Sequence, residues 1–187
     1  APTNGTRTRL SQDNIRALYV RLDFETIDRD SVRSTVGYSV AQPKWRAAGS
    51  LEMRKGLHIL GASDKGDVWL SRPGADPSAF LVRFAGTAEY RPIPLVTFAL
   101  SPRAQYAANP LLSYEQFSGG NFTVGRGYDP GSVIGDSGVG FQLEGRYGSL
   151  SPSSRSDLTV QPYVFYDHAW VWNRNKLTPT LRPDPQE

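Results

Sequence analysis

Hydrophobic and polar residues alternate with a period of two along most of this chain. In the first such segment, Leu18, Val20 and Leu22 share one side, while Arg21 and Asp23 share the other. Successive side chains of a β-strand point to opposite faces, so this pattern predicts strands rather than helices. Seven segments carry it, at residues 18–25, 35–40, 45–59, 80–90, 96–105, 139–147 and 159–172. The sequence therefore predicts an all-β chain folded as an antiparallel meander.

The length of these segments and the position of their aromatic residues favour a membrane barrel over a soluble sheet. Several segments reach the roughly 9–11 residues that a tilted strand needs to cross a bilayer, whereas strands of soluble proteins centre near about 5–6. Aromatic residues collect near the ends of the apolar faces, as the girdles of a membrane barrel require. They are Trp45, Phe80, Tyr90, Tyr147, Trp170 and Trp172. A soluble meander or sandwich with one wet face is the alternative.

The connections between the predicted strands alternate between longer and shorter. Membrane barrels show this alternation because they have short turns on one side and longer loops on the outside. The longest connection covers residues 108–137, and its second half is rich in glycine. A loop of this length in a compact domain is commonly functional or disordered.

Composition and charge remove several classes of function. The chain has no Cys and only two His, His58 and His168, so we expect no metal site and no other cofactor. The net charge of +3 comes from charges spread along the chain without a basic tract, and we expect no nucleic-acid partner. Glu144 could pair with Asp136 or Asp167, but no nucleophile motif accompanies these carboxylates. The sequence therefore predicts that the chain is not an enzyme.

A set of short motifs between residues 51 and 173 occurs in an order typical of one family. The set includes Gly119-Gly120, Val124-Gly125-Arg126-Gly127-Tyr128, Gly135-Asp136-Ser137-Gly138, Glu144, a Gly-Leu-x-x-Leu-Gly-Ala-Ser run at residues 56–63, and Phe165-x-Asp167-x-Ala169. Together they resemble the hemolysin secretion/activation proteins, the outer-membrane translocators of two-partner secretion and relatives of the barrel-assembly insertases. Two residues depart from that pattern. Gly125 is an extra residue before the arginine, and Ala169 stands where the family usually has Gly.

The resemblance implies that the long loop folds back into the barrel lumen, with Arg126, Gly127 and Tyr128 at its tip. Arg126 is then expected to pair with Asp167, with Glu144 as nearby support. Strand parity, taken without the family, also places both carboxylates on polar faces. A bidentate arginine–carboxylate pair would anchor an otherwise entropically costly loop.

The resemblance also implies a bacterial outer-membrane barrel of about sixteen strands, of which the seven segments would be strands seven to thirteen. We expect residues 1–173 to form this partial barrel and residues 174–187 to form a Pro-rich loop or truncated tail. Strands at both ends and upstream periplasmic domains would then be missing, so the chain is expected to be a fragment.

The predicted function is a pore that translocates an unfolded partner exoprotein across the outer membrane. Its expected partners are the exoprotein cargo and outer-membrane lipid. Two alternatives stay open, namely a barrel-assembly insertase and a soluble β-sandwich that binds carbohydrate. In the second alternative, a groove would be lined by Tyr163, Tyr166, Trp170 and Trp172.

Overall fold

The computed structural model of the protein describes residues 11–34, 36–120, 123–149 and 158–174. Six long strands form one sheet, and two short strands form another. In chain order, the strands are β1 (Ala17–Ile27), β2 (Trp45–Gly56), β3 (Phe80–Ile93), β4 (Val96–Ala107), β5 (Phe117–Gly119), β6 (Val133–Gly135), β7 (Ser137–Tyr147) and β8 (Tyr163–Trp172). The large sheet has the order β1-β2-β3-β4-β7-β8 with every pair antiparallel, which confirms the predicted all-β meander.

The strand register keeps like residues together on each face of the large sheet. Leu22 lies opposite Leu51, which in turn lies opposite Phe84, and this side is called the apolar face below. One residue along, Arg21 lies opposite Glu52 on the polar face. Directly opposed residues of antiparallel strands project to the same side, so one register sorts the whole sheet.

The apolar face is exposed along its whole length rather than packed into a core. Leu18, Val20 and Leu22 each expose more than three-fifths of their surface. A soluble sandwich would cover such a face with a second sheet, and among the described residues no second layer does so. Exposed aromatic residues stand at both ends of this face, including Trp45 and Tyr90 at one end and Trp172 at the other.

The strand predicted at residues 35–40 is wrong over its described part, residues 36–40. A short helix, α1 (Arg29–Ser34), and a series of turns occupy this region instead. Gly37 has φ +95°, which turns the chain out of an extended path, and Ser39 and Gln42 close a turn by reciprocal backbone hydrogen bonds. β1 therefore pairs directly with β2, and the described residues contain six long strands instead of seven. No helix among the described residues is long and apolar enough to cross a membrane.

Because residues 36–40 form no strand, the two connections predicted on either side of them are a single connection at residues 28–44. The merged connection lies at the same end of the sheet as the tight turn between β3 and β4. The connections at residues 57–79 and 108–136 lie at the opposite end, which is called the long-loop end below. Most of the predicted Pro-rich tail, residues 175–187, lies outside the described part of the chain.

The buried apolar residues are concentrated at the long-loop end. One cluster joins the start of β3 and the end of β4 to the loop that follows, and it contains Ala79, Leu81, Ala107 and Leu111. The connections at this end pack together as a second cluster of Leu70, Ala75 and Leu112. β5 and β6 continue this layer by contacting β7 and β8. The long loop is thus packed against the sheet, where its polar residues can reach the polar face.

Candidate functional site

The tip of the long loop is bound to the polar face through one carboxylate of β8. Asp167 Oδ2 accepts hydrogen bonds from the backbone N–H groups of Gly125 at 3.2 Å and Arg126 at 2.9 Å. The Arg126 side chain adds Nε at 3.0 Å to Oδ2 and Nη2 at 2.6 Å to Oδ1. Two backbone donors and a bidentate guanidinium therefore converge on a side chain that is only 4% exposed.

The same guanidinium also contacts β7 and an aromatic ring of β8. Arg126 Nη1 forms an ion pair with Glu144, and the Arg126 Cζ atom lies 4.2 Å from the centre of the Phe165 ring. Hydrogen bonding to Asp167 is the main cause that raises the pKa of Arg126 above its ordinary value. The structure thus brings Arg126, Asp167 and Glu144 together, in the arrangement that the family resemblance implies.

Glu144 extends this contact into a chain of alternating charges along the polar face. Arg146 Nε donates to Glu144 at 2.6 Å, and Arg146 Nη1 reaches Glu89 on β3 at 3.2 Å. Glu89 also accepts from Arg46 at 2.9 Å and from Arg91 at 2.5 Å. Side-chain contacts therefore link the loop tip on β8 to Arg46 on β2, which is four strands away in the sheet.

A small residue on β4 makes the network possible. Ala99 lies directly between Glu89 and Glu144 in the strand register. A larger side chain there would fill the space that Arg146 crosses to reach Glu89. The arginines also separate two carboxylates that would otherwise repel each other across one strand.

The other two predicted tip residues, Gly127 and Tyr128, lie in the turn that follows Arg126. Tyr128 is 70% exposed and donates nothing to the carboxylates. Gly127 takes φ +91° next to Arg126. The extra residue Gly125 has φ +99° and supplies one of the backbone donors to Asp167, so the insertion adds a contact to the anchor. Any residue with a side chain would be strained at that φ.

Asp136 from the Gly-Asp-Ser-Gly motif forms a separate site at the long-loop end. Its fully buried carboxylate pairs with both Nη groups of Arg72 and accepts the backbone N–H of Leu111 at 2.9 Å and of Arg174 at 2.7 Å. Burial acts to raise its pKa, but these hydrogen bonds outweigh burial and lower the pKa below the ordinary value. Asp136 therefore joins the connection at 57–79, the long loop and the end of β8.

The remaining motif glycines allow the loop to approach the sheet closely. A Cβ atom on Gly138 would lie 2.5 Å from the Phe117 ring, and one on Gly119 would lie 2.6 Å from Val133. A Cβ atom on Gly135 would lie 2.9 Å from the Cβ atom of Val171. Gly120 has φ +110°, a backbone conformation that favours glycine. Gly119, Gly120 and Gly135 lie in or beside the small sheet of β5 and β6, whereas Gly138 lies in β7 of the large sheet. The motif thus encodes close packing in addition to a turn.

One comparison with known proteins decides the family. The profile for the haemolysin secretion/activation protein ShlB/FhaC/HecB matches residues 9–181. The chain belongs to the ShlB/FhaC/HecB family. Members of this family are bacterial outer-membrane transporters of two-partner secretion, and membership implies a secreted exoprotein as the partner. Comparisons with curated proteins and with solved structures give no match.

Membership of a transporter family agrees with the chemistry of the loop site. The three guanidinium nitrogens of Arg126 each donate to a carboxylate of β7 or β8. These contacts hold the loop on the sheet. The four aromatic residues of the carbohydrate alternative do not share one face, because Tyr166, Trp170 and Trp172 project from the apolar face while Tyr163 lies in register with Arg146 of the polar face.

Several contacts of the two sites were not predicted from the sequence. Phe165 precedes Asp167 by two residues, so strand parity alone would have placed its ring on the polar face beside Arg126. Glu89 and Arg146 lie in the alternating segments 80–90 and 139–147, but their contact depends on the register across β4. Arg72 lies in a connection without periodicity, and the sequence offers no signal for its contact with Asp136.

Proposed function

We propose that the chain forms part of the wall of a pore that passes an unfolded exoprotein, with the long loop folded inward and anchored by Arg126. The observation that carries this proposal is the convergence of Arg126 on Asp167 and Glu144. A guanidinium held by carboxylates of two adjacent strands fixes the loop on the polar face of the sheet.

The distribution of polar and apolar residues supports the direction of folding. In an outer-membrane barrel the interior is polar and the outside carries an apolar band between aromatic girdles. The polar face holds the charge network and the loop, so it is the lumen side in this proposal. The exposed apolar face then contacts outer-membrane lipid. Polar side chains along the lumen would hydrate an extended polypeptide without offering an apolar surface that retains it.

The proposed domain organisation follows from the same assignment. Residues 1–173 belong to a partial barrel with the inward loop at residues 108–137, and residues 174–187 form a Pro-rich segment. The structure describes six long strands rather than the seven predicted. In this proposal, the six strands are numbers eight to thirteen of a family barrel of about sixteen strands. In a closed barrel, β1 and β8 each pair with a further strand, since an unpaired strand edge is not stable in lipid.

Deleting the gene from the source bacterium tests the function. We expect at least one protein to disappear from the culture medium and to return when the wild-type gene is reintroduced, because the pore is its route across the outer membrane. Mass spectrometry of the medium and of the outer membrane measures both effects. General loss of outer-membrane barrels would indicate an insertase, and an unchanged medium would contradict translocation.

A further inference from the structure

A groove of about 590 Å³ opens on the apolar face near the long-loop end. Its floor is low because β4 carries Ala104 between Phe84 of β3 and Val139 of β7 in the register. Tyr106 and Trp172 border the groove, and each exposes about half of its surface, at 54% and 53%. The groove is therefore an open channel with aromatic side chains on its border and small or apolar side chains on its floor.

Arg174 places a positive charge at the mouth of this groove. Its backbone N–H is held by Asp136 at 2.7 Å, and its Nε donates to the Ala107 carbonyl oxygen at 3.0 Å. The guanidinium carbon lies 5.2 Å from the centre of the Tyr106 ring. The Nη groups form no hydrogen bond or ion pair with any residue that the structure describes. The backbone and Nε contacts orient the guanidinium, while its two outer amino groups make no polar contact with a residue in the described part of the chain.

The position of the groove indicates which lipid leaflet it meets. Outer-membrane barrels have short turns on the periplasmic side and longer loops outside. The shortest connection, between Ile93 and Val96, lies at the opposite end of the sheet from the groove. With the barrel orientation proposed above, on which this inference rests, the groove lies at the outer boundary of the membrane, where lipid headgroups begin and where Tyr and Trp are enriched.

We propose that this groove binds a phosphate-bearing lipid of the outer leaflet, with an acyl chain over Ala104 and a phosphate on Arg174. Charge complementarity selects this occupant, because the described residues supply no carboxylate to the guanidinium. Asp136, which contacts the Arg174 backbone, is paired with Arg72. A guanidinium with two adjacent free amino groups matches phosphate oxygens in a bidentate way.

Binding of lipid A that carries both phosphates tests the proposal in the detergent-purified protein. Native mass spectrometry measures the lipid-bound fraction as the lipid is titrated. We expect saturable binding that weakens about tenfold in Arg174→Gln, since a charge-assisted hydrogen-bonded contact is lost. Ala104→Leu raises the groove floor and is expected to weaken binding with the guanidinium intact. Arg103→Gln is the matched control, because Arg103 is an exposed arginine of the same β4 strand on the polar face.

Two further arms identify the source of the phosphate. Dephosphorylated lipid A is expected to bind the wild-type protein as weakly as lipid A binds Arg174→Gln. Inorganic phosphate is expected not to displace lipid A, because it cannot occupy the apolar part of the groove. Equal affinity of wild type and Arg174→Gln, equal weakening by Arg103→Gln, or displacement by inorganic phosphate would each overturn the proposal. If Arg174→Gln does not fold, unchanged binding by Ala104→Leu overturns it.

Discussion

Arg126→Ala is expected to reduce secretion of the exoprotein at least tenfold while the protein still reaches the outer membrane. The substitution removes every side-chain contact between the loop tip and the carboxylates of β7 and β8. Loss of one partner of a largely buried ion pair costs about 3–5 kcal/mol, which is enough to make the undocked loop the major state. Immunoblots of medium and outer membrane measure secretion against the amount of assembled barrel.

Two further variants separate the anchor from a general effect of charge. Arg103→Ala removes an exposed arginine from the polar face of β4 and is expected to leave secretion near the wild-type level. Arg126→Lys retains the charge, but an ammonium cannot reproduce the planar fork that bridges Asp167 and Glu144, so we expect intermediate secretion. Normal secretion by Arg126→Ala at equal outer-membrane levels would show that the loop anchor is not needed.

Asp136→Ala is expected to lower the free energy of unfolding by about 3–5 kcal/mol. The change leaves the half-buried Arg72 guanidinium without its counter-charge and removes the acceptor of the Leu111 and Arg174 backbone N–H groups. Urea unfolding in detergent measures the loss. Asp129→Ala is the control, since Asp129 is an exposed acid of the same loop whose structural contact is made by its backbone carbonyl. Equal stability of the two variants would contradict the role of Asp136.

The lowered pKa of Asp136 gives the same prediction a dependence on pH. A carboxylate with a folded-state pKa below its unfolded value of about 3.9 contributes its full stability above that value. The contribution is lost as pH falls through the lower folded-state pKa. Wild type is therefore expected to lose part of its advantage over Asp136→Asn as the pH is lowered below about 4. A stability difference that stays constant over this range would contradict the assignment.

The faces of the long strands were predictable from the sequence because they depend on a local period. Leu22, Leu51 and Phe84 each lie on the apolar side of an alternating segment, and the strand register aligns them on one face. The strand prediction around Tyr38 was wrong for a physical reason. Alternation over so few residues is compatible with a turn, and Gly37 with its positive φ breaks the extended path.

The two sites differ in how far the sequence could define them. The family resemblance predicted that Arg126 pairs with Asp167 and Glu144, and strand parity predicted that both carboxylates lie on polar faces. The extension to Glu89 and Arg146 required knowledge of which strands are neighbours and that Ala99 separates them. The Arg72–Asp136 contact joins two irregular connections, and such long-range contacts leave no periodic trace in a single sequence.

A cross-link in the native outer membrane tests most directly whether the loop is docked on the polar face. The chain has no cysteine, so introduced cysteines can only pair with each other within it. A Cβ atom on Gly140 of β7 would lie 3.1 Å from Val124 Cγ1 at the loop tip. This proximity is compatible with a disulfide, whose Cβ atoms are about 3.5–4.5 Å apart.

The test pair is Val124→Cys with Gly140→Cys, and the control pair is Val124→Cys with Gly145→Cys, which projects from the opposite face of β7. The docked loop predicts a reductant-sensitive cross-link in the outer membrane for the test pair only, seen as a mobility shift on non-reducing gels. Absence of the cross-link in folded test-pair protein, or an equal cross-link in the control pair, would contradict it.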